Sequence, residues 1–143
     1  MTSLIIDASS DKIFLVLIVD KNIYTSSFEN SKSNFEKLVL LIDQFLINNK
    51  KSINDIKQIY VNRGPGRFAG IRNSLSIVKG YHLSKKIDYF CFSFLDFDKK
   101  KYDVKNETLK KSSVKNDINY ENIPKLCDKF KIKKNLINPL YLS

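Results

Sequence analysis

The hydrophobic pattern of the first thirty residues has strand lengths and strand periods. Thr2–Asp7 alternates weakly and ends in an acid. Ile13–Val19 is a continuous apolar run of the kind that a strand buried on both faces presents. Ile23–Phe28 reads as a third strand. The links at Asp11-Lys12 and Asp20-Lys21-Asn22 are too short for a crossover, so these three segments predict an antiparallel meander. The period then lengthens. From Asn34 to about Asn48, Phe35, Leu38, Val39, Ile42, Phe45 and Leu46 share one helical face, with Leu41 at its fringe. Ser33 and Glu36 have the spacing of a capping box at its start. Leu40 and Ile47 fall on the opposite side, beside Glu36, Asp43 and Gln44, which marks them as scattered surface residues or as a contact for a partner.

After a polar link at Lys50–Asn54, Ile59-Tyr60-Val61 predicts a fourth strand. Ile71, Leu75, Val78 and His82 then recur at helical spacing to about Lys85, and Ile87–Leu95 predicts a fifth strand. This order, three strands followed by helix, strand, helix and strand, is that of an α/β protein. Right-handed crossovers would set the fourth and fifth strands parallel to the first.

All four glycines lie between Ile59 and Gly80, at Gly64, Gly66, Gly70 and Gly80. Gly64-Pro65-Gly66 predicts a tight turn between the fourth strand and the second helix. Such a turn can cradle a phosphate at a helix N-terminus, and Gly64-x-Gly66-x-x-Ala69 matches the looser dinucleotide pattern. The acid that this pattern wants at the end of the next strand is misplaced, since Asp88 opens that strand and Asp96 lies beyond it. No Gly-Lys-Ser/Thr follows, so the P-loop pattern fails. A tight turn with close helix packing explains the glycines equally well.

From Lys99 the character changes. Lys99–Lys134 holds twelve lysines against five acids and carries most of the chain's +10 charge. Asn106–Asp117 shows little periodicity and reads as a loop. Asn122–Lys134 predicts a short helix with Pro124 in its first turn, and Leu136–Leu142 an extended end. The division is therefore residues 1–97 as the main domain and residues 98–143 as a lysine-rich, reduced C-terminal region with a short helix. A basic chain invites a nucleic-acid reading, although arginine is confined to Arg63, Arg67 and Arg72. Apolar runs are too short to span a bilayer, and the opening residues show no secretory leader pattern. The expectation is a cytoplasmic protein with no membrane contact. Cys91 and Cys127 sit in unlike contexts and read as two small buried or half-buried thiols rather than a disulfide.

Gly64-Pro65-Gly66-Arg67-Phe68-Ala69-Gly70-Ile71-Arg72, followed by Lys79-Gly80, resembles the G-P-G-S-F-T-G-x-R signature of the bacterial TsaB (YeaZ) family. Leu4–Ser9 is similar to that family's I-D-T-A opening, and Pro139–Ser143 to its P-x-Y-L-R ending. Arg67 and Ala69 stand where the family has Ser and Thr, Ser143 stands in place of the closing Arg, and the second half is shorter. The resemblance implies a ribonuclease-H-like or actin-like half-domain with a five-stranded mixed sheet. It implies a signature turn at Gly64, Pro65, Gly66, Phe68, Gly70 and Arg72. It also implies a non-catalytic partner in making N6-threonylcarbamoyladenosine (t6A) on tRNA, docking on a TsaD-type catalytic subunit, with a TsaE-type ATPase in the complex, a possible homodimer, and tRNA reached indirectly.

The chain's own chemistry is sparse. His82 reads as a satisfied helix side chain. There is no zinc-type cluster and no nucleophile elbow or Cys–His pairing at motif spacing, so neither metal nor cofactor is expected. Asp7, closing the first strand, is the one acid in a plausible catalytic place. In actin-like ATPases an acid there orients metal and water, so Asp7 is a candidate vestigial nucleotide or metal acid. Three functions follow: a partner subunit without catalysis, a reduced actin-like or ribonuclease-H-like phosphotransferase or nuclease using Asp7, or a basic RNA-binding protein. For the first, the partner surface is expected at Leu40 and Ile47 of the first helix and along a stripe of small and apolar residues on the second, Ser74, Ile77 and Tyr81.

Overall fold

A computed structural model describes residues 1–97 and 119–141; the predicted loop at Asn106–Asp117 lies outside them. One five-stranded sheet organises the chain. β1 (Thr2–Asp7), β2 (Lys12–Val19) and β3 (Asn22–Glu29) form the expected meander, and β4 (Gln58–Asn62) and β5 (Asp88–Phe92) extend it on the other side of β1. The order is β3-β2-β1-β4-β5. β1 pairs antiparallel with β2 from Thr2 opposite Val19 to Asp7 opposite Phe14, and parallel with β4 from Ser3 opposite Gln58 to Ile6 opposite Val61. β4 and β5 are also parallel, so both crossovers run as the sequence predicts. β5 is shorter than predicted. Ser93 is fully buried, and the chain turns there into a 3-10 segment at Phe94–Phe97, tied by the Asp96 carboxylate accepting from the Ser93 amide at 2.8 Å.

The predicted first helix is two pieces, α1 (Lys32–Glu36) and α2 (Leu38–Asn48), broken at Lys37. Its cap is Ser31, whose hydroxyl accepts from the Asn34 amide at 3.3 Å, so the Ser33–Glu36 capping box is not used. Both serines are competent caps; Asn34 donates its side-chain amide to Glu29 O at 2.7 Å, which holds the turn two residues earlier. The buried stripe of α2 is Leu38, Ile42, Phe45 and Leu46, and Val39 sits outside it. A capping box does form at Ser52 and Asp55, opening a 3-10 turn (Ile53–Asp55) before β4. α3 runs Phe68–Lys85, and the C-terminal helix, α4, covers only Ile123–Lys129 after a 3-10 turn at Tyr120–Asn122. Pro124 lies in the first turn of α4, as predicted.

Alternating strand residues feed two cores. On one face Leu4, Ile6, Ile13, Leu15, Leu17, Ile59, Val61 and Tyr89 pack with α2 and α3. On the other, Ile5, Val16, Tyr60 and Phe92 meet Phe97, Ile123 and Cys127. Each buried aliphatic side chain of this size contributes about 1.5–3 kcal/mol, so the short 119–141 segment is held to the sheet by real burial. It also covers the β5 edge, where Asn135 N donates to Tyr89 O at 2.7 Å and Tyr89 N to Asn135 Oδ1 at 2.9 Å. Among the described residues no strand pairs with the outer edge of β3. Cys91 and Cys127 are free and buried, with burial pushing their thiols up to about 11 and about 12. His82 Nδ1–H donates to Ile87 O at 2.9 Å, and its ring is edge-to-face with Tyr89. No helix among the described residues is long and apolar enough to cross a membrane.

Candidate functional site

The glycine turn sits where β4 ends, against the carboxyl end of β1. Gly64 has φ +110, a conformation side chains rarely adopt, and a Cβ there would overlap the Leu140 carbonyl. Gly66 and Gly70 are required for close approach instead. A Cβ on Gly66 would strike the Ser9 carbonyl and one on Gly70 the Ala8 carbonyl, whereas Gly80 faces open space. The Gly64–Pro65 peptide is cis. Arg67 is the extended residue before α3, and its amide donates to Ser9 O at 2.9 Å. Its guanidinium reaches Asp11 at 3.0 Å, an exposed pair. Three loops therefore interlock: β1–β2, the glycine turn, and the C-terminal segment, which bridges in parallel from Tyr141 to Gly66. The Ser9 backbone packs against Gly66, and its carbonyl takes the Arg67 amide that a phosphate cradle would use.

Arg63 anchors the same junction from behind. Its guanidinium pairs with Asp96 at 2.7 Å and donates to Asn138 O at 3.1 Å, while its carbonyl accepts from Leu140 N at 2.7 Å. Phe68 and Tyr141 stack obliquely with centroids 4.6 Å apart, and Arg72 lies 5.9 Å over the Phe68 ring. All six predicted signature residues thus fall in one region, but they serve different ends: Gly64, Gly66 and Gly70 permit packing, while Pro65, Phe68 and Arg72 are exposed.

Asp7 is fully buried at the end of β1. Its Oδ1 accepts from Ser9 N at 3.1 Å and Ser9 Oγ at 2.7 Å, and its Oδ2 from the Tyr120 hydroxyl at 2.6 Å. Asn62 continues the chain of bonds, donating to Ser9 Oγ at 3.2 Å and accepting from Gly64 N at 2.8 Å. Burial, then the Asp7 charge and its hydrogen bond, raise the Tyr120 pKa, so the phenol is a neutral donor. A carboxylate engaged at both oxygens and covered by an aromatic ring does not fit a metal or nucleotide acid. Among the described residues no three His, Cys, Asp or Glu side chains converge on a common point. In this structure Asp7 is tied into the fold through Ser9 and Tyr120. The sequence pattern gave no sign of Tyr120 as its partner; Asn62, standing where a second acid would serve a nuclease, was the visible hint.

The predicted partner patch divides. Leu40 and Ile47 are 66% and 63% exposed on the outer face of α2. Ser74 is fully buried, its hydroxyl donating to Ile71 O at 3.0 Å, and so cannot lie on a docking surface. Ile77 and Tyr81 pack against the helix-side core. The Tyr81 hydroxyl is buried without a partner among the described residues, and burial, then Asp43, push its pKa up to about 12. The small-residue stripe of α3 admits α1 and the Ala8 loop of this same chain.

The chain is 35% identical over 92 residues to the tRNA threonylcarbamoyladenosine biosynthesis protein TsaB of Buchnera aphidicola, an alignment covering 64% of this chain and 44% of that one. Its fold matches YeaZ from Pseudomonas aeruginosa with a TM-score of 0.61 at 19% identity, over 71% of this chain and 48% of that one. A second P. aeruginosa structure, described as an uncharacterized protein with similarity to peptidase YEAZ, gives the same TM-score and identity and is covered to 47%. No protein-family profile matches. The chain spans less than half the length of these proteins. The chain is thus similar to TsaB in sequence over 92 residues and to YeaZ in fold, in line with the resemblance carried by its Gly64–Arg72 turn.

Proposed function

We propose that the chain is a non-catalytic partner subunit in the biosynthesis of t6A on tRNA, docking on a TsaD-type catalytic subunit and stabilising it. The observation that carries this reading is the 35% identity to a protein named for that biosynthesis. Two features of the fold agree with it. Asp7 is consumed by Ser9 and Tyr120 and serves the fold. Leu40 and Ile47 offer exposed apolar area on α2, flanked by Glu36 and Asp43. The docking surface is that outer face of α2, with Val39 at its edge and without Ser74. In this reading the protein works in the cytoplasm beside a TsaE-type ATPase, and tRNA is contacted chiefly by the catalytic subunit.

The test is genetic and chemical. Bacteria depleted of their own TsaB are given this chain, and t6A in bulk tRNA is measured by mass spectrometry of nucleosides. Restored t6A with the parent and with Asp7→Asn supports the reading. Restoration by the parent that fails with a folded Asp7→Asn variant returns Asp7 to a catalytic role, and no restoration by the parent contradicts the proposal.

A further inference from the structure

The flank of α3 that turns away from α2 forms one wall of an open trough of about 350 Å³, lined by Arg72, Leu75, Ser76, Lys79, Ile137 and Tyr141. Arg72 and Lys79 are two helical turns apart on nearly the same bearing, about 10 Å along the axis. Ser76 lies between them, and Leu75 and Ile137 make an aliphatic floor. Tyr141 forms the opposite wall from the C-terminal segment, fixed there by its bridge to Gly66 and its contact with Phe68. Among the described residues neither Arg72 nor Lys79 has an acidic partner or a hydrogen bond, in contrast to Arg63 and Arg67. Two uncompensated cations at the ends of an apolar trough attract anions at both ends and aliphatic carbon between. Ile77 and Tyr81 lie on the other flank of the helix, packed against the helix-side core with Asp43 of α2 near Tyr81, so this surface is separate from the outer face of α2.

We propose that the trough binds an acidic, extended segment of a partner polypeptide with the pattern acid-x-aliphatic-x-acid. Alternate side chains of an extended segment share a face. The two carboxylates reach Arg72 and Lys79, and the aliphatic residue between them covers Leu75 and Ile137. Arginine's planar fork favours a carboxylate at the Arg72 end. The floor is aliphatic and Tyr141, already in contact with Phe68, is the single aromatic ring of the lining, where successive bases would need a run of aromatic faces, so a polypeptide fits better than RNA. This inference stands independently of the t6A reading, because it rests on the charge and shape of the trough alone.

The test uses the full chain and a capped, fluorescein-labelled peptide of sequence Ser-Glu-Thr-Leu-Thr-Glu-Ser, with a Lys-for-Glu peptide and a ten-residue uridine oligonucleotide as the other arms. Saturable binding of the acidic peptide is expected, with amide shifts confined to the Leu75–Lys79 and Ile137–Tyr141 stretches. Arg72→Glu and Lys79→Glu, both at exposed positions, should each weaken it at least tenfold. Ser76→Tyr, which fills the trough and leaves its charge alone, should weaken it as well. Raising salt from 50 to 500 mM should do the same. Equal binding of the Lys peptide, unchanged affinity in the Arg72→Glu/Lys79→Glu double variant, no binding at all, or tighter binding of the oligonucleotide at the same amides would overturn the proposal.

Discussion

The Tyr120 hydroxyl donates to Asp7 Oδ2 at 2.6 Å, joining residues 113 apart in the chain. One end of this bond closes the central strand and the other opens the C-terminal 3-10 turn. It fixes the 119–141 segment over the buried carboxylate at the end of β1.

Removing the donor should therefore be costly. Tyr120→Phe leaves a buried carboxylate oxygen without a partner, which costs about 1–3 kcal/mol and more for a charged group. We expect urea unfolding of Tyr120→Phe to show a loss of about 2–3 kcal/mol. Adding Asp7→Asn should give back part of that loss, since the charge is then gone, so the double variant should fall short of additivity. Strictly additive losses would mean that the two residues are not coupled.

The glycines should sort by packing. Gly64→Ala, Gly66→Ala and Gly70→Ala each force a methyl against a carbonyl of another loop, and we expect each to lose about 1–3 kcal/mol. Gly80→Ala should be neutral or stabilising by up to about 1 kcal/mol, because alanine is the better helix former and nothing opposes it. Thermal melts of the four variants check the ranking, and a loss at Gly80 equal to that at Gly70 would refute it.

Arg63 should control the C-terminal segment. Its side chain and that of Asp96 are 13% and 19% exposed, so Arg63→Ala leaves a largely buried acid and frees Asn138 O. Breaking a buried pair costs about 3–5 kcal/mol, and partial exposure here should reduce that to about 2–3 kcal/mol. Hydrogen exchange should quicken at Leu140 and Asn135 before it does in β1. Unchanged exchange at Leu140 would show that the tail is held by other means.

Alkali should destabilise the fold. The Cys91 and Cys127 thiols are pushed up to about 11 and about 12, and the Tyr60 and Tyr81 phenols to about 12, with burial the largest cause in each. Unfolded, these groups titrate near 9 and 10. Above pH 9 the unfolded chain gives up protons that the folded chain retains, so stability is full below pH 9 and is lost towards pH 12. The Tm should fall between pH 8 and pH 10.5, and Cys127→Ala should fall less steeply than the parent over that interval. A Tm independent of pH across it would contradict the assignment.

The sheet was legible because its signals are local. Seven apolar residues at Ile13–Val19 and the short links at Asp11-Lys12 and Asp20-Lys21-Asn22 leave no choice but a meander, and the helical spacing of Ile71, Leu75 and Val78 fixes α3. The glycine turn was legible as a turn, yet its partners were not, since the carbonyls of Ala8, Ser9 and Leu140 come from distant loops. Ser74 was misread for the same reason: on an isolated helix a small residue looks like a docking surface, and only the fold shows α1 and the Ala8 loop filling the space. The cap of α1 slipped by two residues because Ser31 and Ser33 are equally good caps until Asn34 bonds to Glu29 O. Asp7 was legible as a singular acid at the end of β1, but its Tyr120 partner was not, because that donor lies 113 residues on.

Association with a TsaD-type subunit from the same source, measured by isothermal titration, is the most direct test of the proposed role. The parent chain should bind with a single saturable transition, and Leu40→Asp and Ile47→Asp, both at exposed positions that leave the core intact, should each weaken binding by about 2 kcal/mol or more, as truncation of a central apolar anchor does. Absence of binding by the folded parent, or affinity unchanged in the Leu40→Asp/Ile47→Asp double variant, would contradict the partner role through this face of α2.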